Sequence, residues 1–282
     1  MEKLKINLFD TNGIIHSVFG GLNSYKYVEY VYNLDDFDGI TVFTDQYLFS
    51  SKVDSVNSKF KVAWLHEPKV ISPSIYNVYQ VQDKFDYIFT HDHDLLKLGA
   101  KYILVPPING SGCWVPEQSR KIHDKSKKIS FIFSDKMGTY GHCFRYQVFN
   151  RFKDKLDCFG RGVKPIATKD LALNDYMFSI CIENSYVENY FTEKLIDCFM
   201  TGTVPIYCGC TNVSDFFNKN GIITFNTIQE LEHILNNIDS NMYNNMKSAI
   251  EENFNTTKNE YCLIEDWAYR HIFTNPKYKF NY

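Results

Sequence analysis

Short apolar runs alternate with segments of helical spacing along most of the chain. Leu4–Phe9, Lys61–Leu65 and Tyr87–Thr90 have the length and composition of buried strands, and His93–Leu98 follows with helical spacing. Strands and helices that alternate in this way build parallel βαβ units, because each parallel strand needs a crossover that packs on the sheet. The sequence therefore predicts the α/β fold class.

The alternation is interrupted once and then begins again. Residues 106–112, Pro-Pro-Ile-Asn-Gly-Ser-Gly, are predicted to form a loop, and a polar, basic stretch follows at residues 117–128. A chain of 282 residues has the length of about two domains. We therefore predict two Rossmann-like domains that face each other across a cleft. They cover residues 1–115 and 116–265, and residues 266–282 form a C-terminal tail.

Composition excludes several classes of function. The chain has 30 Lys and Arg residues and 33 Asp and Glu residues, and its net charge of −3 leaves no basic excess for binding nucleic acid. The longest uncharged stretch, Cys198–Ser214, is broken by glycine and proline and is too short to span a membrane. The N-terminal strand reaches Asp10 before a signal-peptide core could form. We expect a soluble, cytoplasmic protein (in the host cytoplasm if the chain is viral), with no transmembrane segment and no nucleic-acid partner.

The eight cysteines lie mostly in apolar runs and form no C-x-x-C pair, which predicts reduced, buried thiols. Cys208-Gly209-Cys210 could supply half of a metal site, but no second pair follows at ligand spacing. We therefore expect no metal at this position. Nothing in the sequence predicts an oligomeric state.

One segment carries the strongest chemical signal. An apolar strand ends at Glu183-Asn184-Ser185, which places these polar groups at the carboxyl edge of a parallel sheet, where such sheets bind ligands. Thr192 is a suitable N-cap for a helix over Glu193–Thr201. Lys194 in the first turn opposes the helix dipole unless an anion lies nearby, so the arrangement suits a phosphate or pyrophosphate. Spacing alone fits a surface helix start with ordinary salt bridges equally well.

The order of the motifs in this region is more specific. Phe178–Ser185 is an apolar strand ending in Glu-Asn-Ser, residues 190–194 are Tyr-Phe-Thr-Glu-Lys, and residues 202–209 are Gly-Thr-Val-Pro-Ile-Tyr-Cys-Gly. In this order they resemble the signature of the α1,3/4-fucosyltransferase family, glycosyltransferase family 10. The resemblance implies a GT-B fold and an inverting transfer of L-fucose from GDP-fucose to a glycan acceptor. It implies no cofactor and no required metal.

The resemblance also implies which residues contact the donor. The matching positions are Ser134, Arg145, Glu183, Asn184, Tyr190, Thr192, Glu193 and Lys194. Ser130–Ser134 followed by Arg145 resembles the strand, loop and helix that bring an arginine to the diphosphate. Lys194 would be the second cation there, and Glu193 would bind hydroxyl groups of the sugar or ribose. Glu183 matches the motif as well, and it could equally serve to hold the loop.

A catalytic base must come from another segment, because inverting transfer needs one carboxylate to take the proton of the acceptor hydroxyl. The apolar strand at residues 62–65 ends in His66-Glu67-Pro68, and it resembles a first-domain strand of the family that ends in a glutamate shortly before a proline. We therefore expect Glu67 to be the base, with a structural turn carboxylate as the alternative.

The sequence is compatible with other functions. Metal-dependent GT-A transferases hold a cation with a D-x-D motif, and this motif matches Asp36-Phe37-Asp38 and Asp92-His93-Asp94. Asp92 is nevertheless better explained as a helix N-cap. A GT-B transferase with another nucleotide sugar would fit the same pattern. So would a module that binds a sugar nucleotide without catalysis.

Overall fold

The structure is a computed structural model, and it describes residues 2–10, 25–108 and 112–280. The chain forms two compact units, Met1–Gly112 with Leu263–Tyr282, and Cys113–Cys262. The sequence predicts a separate tail at residues 266–282, whereas Leu263–Tyr282 belong to the first unit. Residues 109–111 of the predicted loop lie outside the described residues.

The first unit is built on a six-stranded sheet. Its strands are β1 (Leu4–Phe9), β2 (Val28–Tyr32), β3 (Asp36–Thr44), β4 (Asn57–Trp64), β5 (Tyr87–Thr90) and β6 (Tyr102–Leu104). They run in the order β2-β1-β3-β4-β5-β6, and all neighbours are parallel. The short helices α1 (Lys52–Ser55) and α2 (His93–Leu96) lie in the connections, and a 3-10 helix covers Pro73–Gln80.

The end of the chain is part of the first unit. Helix α8 (Ile264–Ala268) places the Asp266 carboxylate where it accepts hydrogen bonds from the backbone N–H of Lys26 at 3.0 Å and of Tyr27 at 3.1 Å. The ring of Tyr27 stacks on Tyr269, with the ring centroids 4.9 Å apart. These contacts fix the segment before β2 to the last helix of the chain.

The second unit is built on a five-stranded parallel sheet. Its strands are β7 (Lys127–Ile132), β8 (Asp157–Phe159), β9 (Tyr176–Ile182), β10 (Val204–Cys208) and β11 (Ile223–Thr224), in the order β11-β10-β9-β7-β8. Its helices are α3 (Tyr140–Phe152), α4 (Glu193–Met200), α5 (Ile228–Asn237), α6 (Ser240–Asn245) and α7 (Lys247–Thr256). Phe131, Phe178 and Ile206 from three neighbouring strands are completely buried in its core.

Most of the predicted elements are confirmed, with two differences. Met246, Ile250 and Phe254 recur at helical spacing and predict one helix over residues 243–254. This prediction is wrong, because the chain breaks at Met246, whose φ of −92° and ψ of 0° end α6 before α7 begins. Tyr243 and Ile250 are nevertheless both buried. Strand β2 is not predicted, because its edge position leaves only Val28 buried and so produces no apolar run. Among the described residues, no helix combines the length and apolarity that crossing a membrane requires.

Candidate active site

Glu183 is the first residue after β9 and is 1% exposed. Its carboxylate accepts hydrogen bonds from the backbone N–H and the hydroxyl of Thr192, both at 2.8 Å. The ammonium of Lys194 lies 3.4 Å from the same carboxylate. A buried carboxylate with these partners ties the two ends of the loop at residues 184–191 together. Of the two roles open from sequence, the structure shows the loop-holding one.

Two glycines allow neighbouring elements to approach this loop closely. A Cβ on Gly141, in the first turn of α3, would lie 1.9 Å from the backbone oxygen of Glu183. A Cβ on Gly209, after β10, would lie 2.5 Å from Cγ of Glu183. Glycine is therefore required sterically at both positions, and Gly141 sets how close α3 comes to the loop.

Arg145 lies one turn further along α3 and is 5% exposed. One of its terminal nitrogens donates a hydrogen bond to the side-chain oxygen of Asn184. Helix α3 begins after Thr139, whose hydroxyl accepts from the backbone N–H of His142 at 3.1 Å. The structure thus brings Arg145 and Asn184, which the resemblance assigns to the donor, into direct contact.

Lys194 lies in the first turn of α4, as predicted, and Thr192 caps this helix. The Lys194 ammonium is 2.9 Å from the Thr192 hydroxyl and 3.3 Å from the Glu193 carboxylate. Burial alone would lower the pKa of Lys194, but the carboxylates of Glu193 and Glu183 raise it above its ordinary value. Its side chain is 24% exposed, so a permanently charged ammonium remains within reach of a ligand.

Lys169 is part of the same network, and sequence reasoning missed it. Its ammonium lies 2.7 Å from the Asp197 carboxylate and 3.3 Å from that of Glu193, so it bridges two acidic groups one turn apart on α4. The ammonium is also 4.5 Å from the ring centroid of Trp114, whose backbone N–H donates to Asp197 at 2.7 Å. Burial opposes ionisation of Glu193, yet Lys194 and Lys169 hold its pKa well below the usual range.

Cationic side chains affect His142, which lies in the first turn of α3. Burial, and then the charges of Arg145, Lys136 and Lys194, lower the pKa of His142 to about 4. Lys136 lies in the exposed loop between β7 and α3 and was not predicted as a site residue. Three cations therefore act on one imidazole at the start of α3.

The predicted donor residues fall into two groups by exposure. Ser134, Asn184 and Lys194 are partly exposed and can meet a ligand directly. Glu183, Tyr190 and Thr192 are at most 1% exposed, so they support the loop from within. Arg145 and Glu193 are also buried, with 5% and 7% of their surface exposed.

Glu67 lies in the first unit, three residues after the end of β4, and it is half-buried. Its backbone oxygen accepts a hydrogen bond from the Tyr76 hydroxyl at 3.0 Å. The carboxyl ends of the neighbouring strands carry further buried polar residues. Asp10 follows β1, Asp45 follows β3, and His91 follows β5. Asp10 and Asp45 were not predicted, although each is the first residue after a strand.

The two D-x-D sequences are used in other ways. The Asp92 side chain caps α2 and accepts from the backbone N–H of Asp94 and of Leu95. Asp36 begins β3, at the edge of the sheet opposite to Glu67, and its carboxylate accepts from the Asn57 side chain at 2.9 Å. In the described ranges, no group of three or more His, Cys, Asp or Glu side chains is arranged to hold a metal ion.

The sequence of the second unit is similar to that of a known protein family. Residues 122–255 match the sequence model described as glycosyltransferase family 10 (fucosyltransferase) C-term. The alpha-(1,4)-fucosyltransferase of Arabidopsis thaliana is 44% identical over 63 residues, which are 21% of this chain and 16% of that protein. The GDP-fucose protein O-fucosyltransferase 3 of Gallus gallus is 36% identical over 109 residues, which are 37% of this chain and 20% of that protein. The matched segments thus span a fifth or less of these curated relatives.

Comparison with solved structures covers both units. A crystal structure of alpha1,3-fucosyltransferase with GDP matches with a TM-score of 0.55 and 18% identity, over 94% of this chain and 92% of that one. TarM matches with a TM-score of 0.56 and 12% identity, over 84% of this chain and 54% of that one. A trehalose 6-phosphate synthase from Burkholderia multivorans matches with a TM-score of 0.55 and 9% identity, over 83% and 71%. The likeness confirms the predicted GT-B fold.

Proposed function

We propose, from the glycosyltransferase family 10 domain at residues 122–255, that this chain transfers L-fucose from GDP-fucose to a hydroxyl group of a glycan, with inversion. The observation that carries the proposal is the anchoring of two cations on adjacent residues of one loop. Arg145 is bonded to Asn184, and Lys194 is paired with Glu183. A nucleoside diphosphate is the leaving group whose charge such a pair would neutralise.

The proposed site would act by electrostatic stabilisation of the leaving group. When the bond between the sugar and the diphosphate breaks, negative charge develops on the departing phosphate oxygens. Fixed cations and the N–H groups at the start of a helix stabilise this charge without having to reorganise during the reaction. Lys194 supplies its charge at the first turn of α4, and the loop bonds described above hold it there.

Glu67 is proposed as the base. In an inverting transfer the acceptor oxygen attacks the anomeric carbon in line with the departing diphosphate, while a carboxylate takes the acceptor proton. This proposal is supported by the location of Glu67 just after the carboxyl end of β4 and by its half-buried side chain, which an acceptor can reach. Its partner in the reaction would be a glycan hydroxyl.

The choice of donor rests on the family match, because the fold is shared with transferases of other kinds, as the likeness to TarM shows. The runner-up is therefore a GT-B transferase that uses another nucleotide sugar. A protein that binds a sugar nucleotide without transferring it is the alternative from a different class.

A panel of nucleotide sugars tests the donor. A ligand at about 100 times its dissociation constant stabilises a protein by about 2.7 kcal/mol, which raises the melting temperature by several degrees. We expect GDP-fucose and GDP to raise it, and UDP-sugars to leave it unchanged. Stabilisation by a UDP-sugar alone would favour the runner-up. Release of GDP from GDP-fucose in the presence of acceptor glycans then separates an enzyme from a binding module.

We also propose that binding and transfer need no metal ion, since Arg145 and Lys194 provide the charge that a divalent cation supplies elsewhere. Dialysis against EDTA should leave donor affinity and transfer rate within about twofold of untreated protein, a change of less than about 0.5 kcal/mol. If EDTA abolishes activity and Mn²⁺ or Mg²⁺ restores it, the proposal of metal independence is contradicted. A metal-dependent GT-A mechanism would then be favoured.

A further inference from the structure

Cys113 and Cys262 are the first and last residues of the second unit, and they contact each other. The backbone N–H of Cys113 donates to the backbone oxygen of Cys262 at 3.0 Å. Each of the two thiols also affects the pKa of the other, and the Cys113 sulfur lies 3.9 Å from the carbonyl oxygen of Val115. The backbone hydrogen bond therefore holds these two cysteines side by side.

The environments of the two thiols differ. Cys113 is completely buried, and burial raises its pKa well above the ordinary value. Cys262 is partly exposed, and its pKa is lowered by the hydrogen bond from Cys113, against burial and with help from the Arg120 guanidinium. A guanidinium nitrogen of Arg120 lies 3.6 Å from the Cys262 sulfur. Another nitrogen of Arg120 donates to the Val115 carbonyl at 2.8 Å and fixes its direction.

The other cysteines lack this combination. Cys181 and Cys198 also share a thiol hydrogen bond, but both are buried. Cys158 is partly exposed, but burial and the charge of Asp157 raise its pKa to about 11. Cys143 is partly exposed, and its sulfur contacts the carbonyl oxygen of Met137 at 3.5 Å rather than a thiol or a cation. An accessible, cation-stabilised thiol beside a second thiol is the arrangement found in reactive cysteine pairs.

We propose that Cys262 and Cys113 form a thiol–disulfide exchange site, with a low-molecular-weight disulfide such as oxidised glutathione as the reactant. The Cys262 thiolate attacks one sulfur of the small disulfide, forms a mixed disulfide and releases one small thiolate. Cys113 then loses its proton and attacks the Cys262 sulfur, which releases the second small thiol. Two protein thiols and one disulfide thus become one protein disulfide and two small thiols. The new bond closes the whole of the second unit into one covalent loop.

The test uses the native, full-length chain and oxidised glutathione. After incubation at pH 7.5, free thiols are blocked with N-ethylmaleimide, and the protein is digested and mapped by mass spectrometry. We expect a Cys113–Cys262 cross-link, with the buried Cys181–Cys198 pair unmodified as an internal control. Because the cross-link restrains the unfolded chain, the melting temperature should rise by several degrees and fall back after reduction.

Two variants separate the roles of the two thiols. C113S should stop the reaction at a stable mixed disulfide on Cys262, with a mass increase of one glutathionyl group. C262S should leave Cys113 unmodified, since it is buried. If Cys262 in the native protein reacts no faster than Cys158 and Cys143 and no cross-link forms, the proposal is overturned. The result does not depend on the proposed transfer activity.

Discussion

At the scale of single residues, the candidate site is held by a chain of alternating charges. Lys169 bridges Asp197 and Glu193, Glu193 pairs with Lys194, and Lys194 reaches Glu183. Each acidic residue in this series is at most 7% exposed, and a buried charge is tolerated only when it is paired. The series therefore keeps Lys194 charged and oriented before any ligand arrives.

Replacement of Lys194 by alanine should weaken donor binding more than it weakens folding. A hydrogen bond to a charged group contributes about 1.5–3 kcal/mol, which corresponds to about a 10–100-fold loss of affinity. Folding should suffer less, because Lys169 still neutralises Glu193 and Thr192 still donates two hydrogen bonds to the Glu183 carboxylate. Calorimetric titration with GDP and thermal unfolding measure the two effects.

Lys127 is a matched control for Lys194, since it pairs with Asp175 at 3.2 Å on the exposed surface of the same unit. Lys127→Ala should change neither affinity nor stability, as exposed pairs contribute little. Unchanged GDP affinity together with a collapsed melting temperature in Lys194→Ala would make Lys194 structural and misplace the proposed site.

Replacement of Glu67 by glutamine should abolish transfer while donor affinity persists. Glutamine keeps the shape of the side chain but accepts no proton at neutral pH, and general base catalysis contributes about 10²–10⁴-fold to the rate. The transfer rate and the GDP dissociation constant are measured on the same variant. Asp94→Asn serves as a control, because the Asp94 side chain is 87% exposed after the neighbouring strand. If Glu67→Gln keeps near-normal turnover and Asp94→Asn loses it, the catalytic base is Asp94 and not Glu67.

Sequence predicts those parts of the site whose signal is local. The positions of Glu183 at a strand end and Thr192 at a helix start can be predicted from the sequence, because strand composition and helix capping depend only on neighbours in the chain. The role of Lys169 cannot be predicted from the sequence, because its partners Glu193 and Asp197 are 24 and 28 residues away and no periodicity links them. The buried state of Tyr190 is hidden for the same reason, as it depends on packing between distant segments.

At the scale of elements, the start of α3 is fixed by its closeness to the loop after β9. The break between α6 and α7 shows the limit of periodicity, because the buried face continues across Met246 while the helix does not. Strand β2 shows the other limit, because an edge strand with one buried residue resembles a loop in sequence.

Replacement of Gly141 by alanine should move α3 away from this loop. The added methyl group would overlap the backbone oxygen of Glu183, and overpacking of this kind costs about 1–3 kcal/mol. Because Arg145 is carried on the same helix, donor affinity should fall together with stability. Gly138→Ala is the control, since its Cβ would lie 4.0 Å from the nearest atom, Nδ1 of His142. Equal behaviour of the two variants in GDP titration and unfolding would refute the steric argument.

At the scale of the whole molecule, stability should fall in mild acid because of His91. This residue is 1% exposed, and burial lowers its pKa to about 3. Between about pH 3 and pH 6.5 the unfolded chain therefore binds a proton that the folded chain does not, so acid favours unfolding. We expect the free energy of unfolding to decrease by about 1 kcal/mol per pH unit from pH 6 to pH 4.

Urea unfolding at several pH values measures this slope. His91→Gln should remove about 1 kcal/mol per pH unit from it and leave the part that His142 contributes through its own lowered pKa. Glutamine does not titrate and can still meet the Tyr76 hydroxyl that lies 3.2 Å from the imidazole. His93→Gln, a change at an exposed histidine in the same segment, should keep the wild-type slope. Identical slopes in all three proteins would show that His91 does not govern acid stability.

The return of the last helix to the first sheet has a consequence for synthesis. Asp266 and Tyr269 leave the ribosome after the whole of the second unit, yet Tyr27 and the segment before β2 depend on them. The second unit is continuous in the chain, so it can complete its sheet while the first still lacks these partners. The unit that is translated first therefore receives its last contacts only after the second unit has been made.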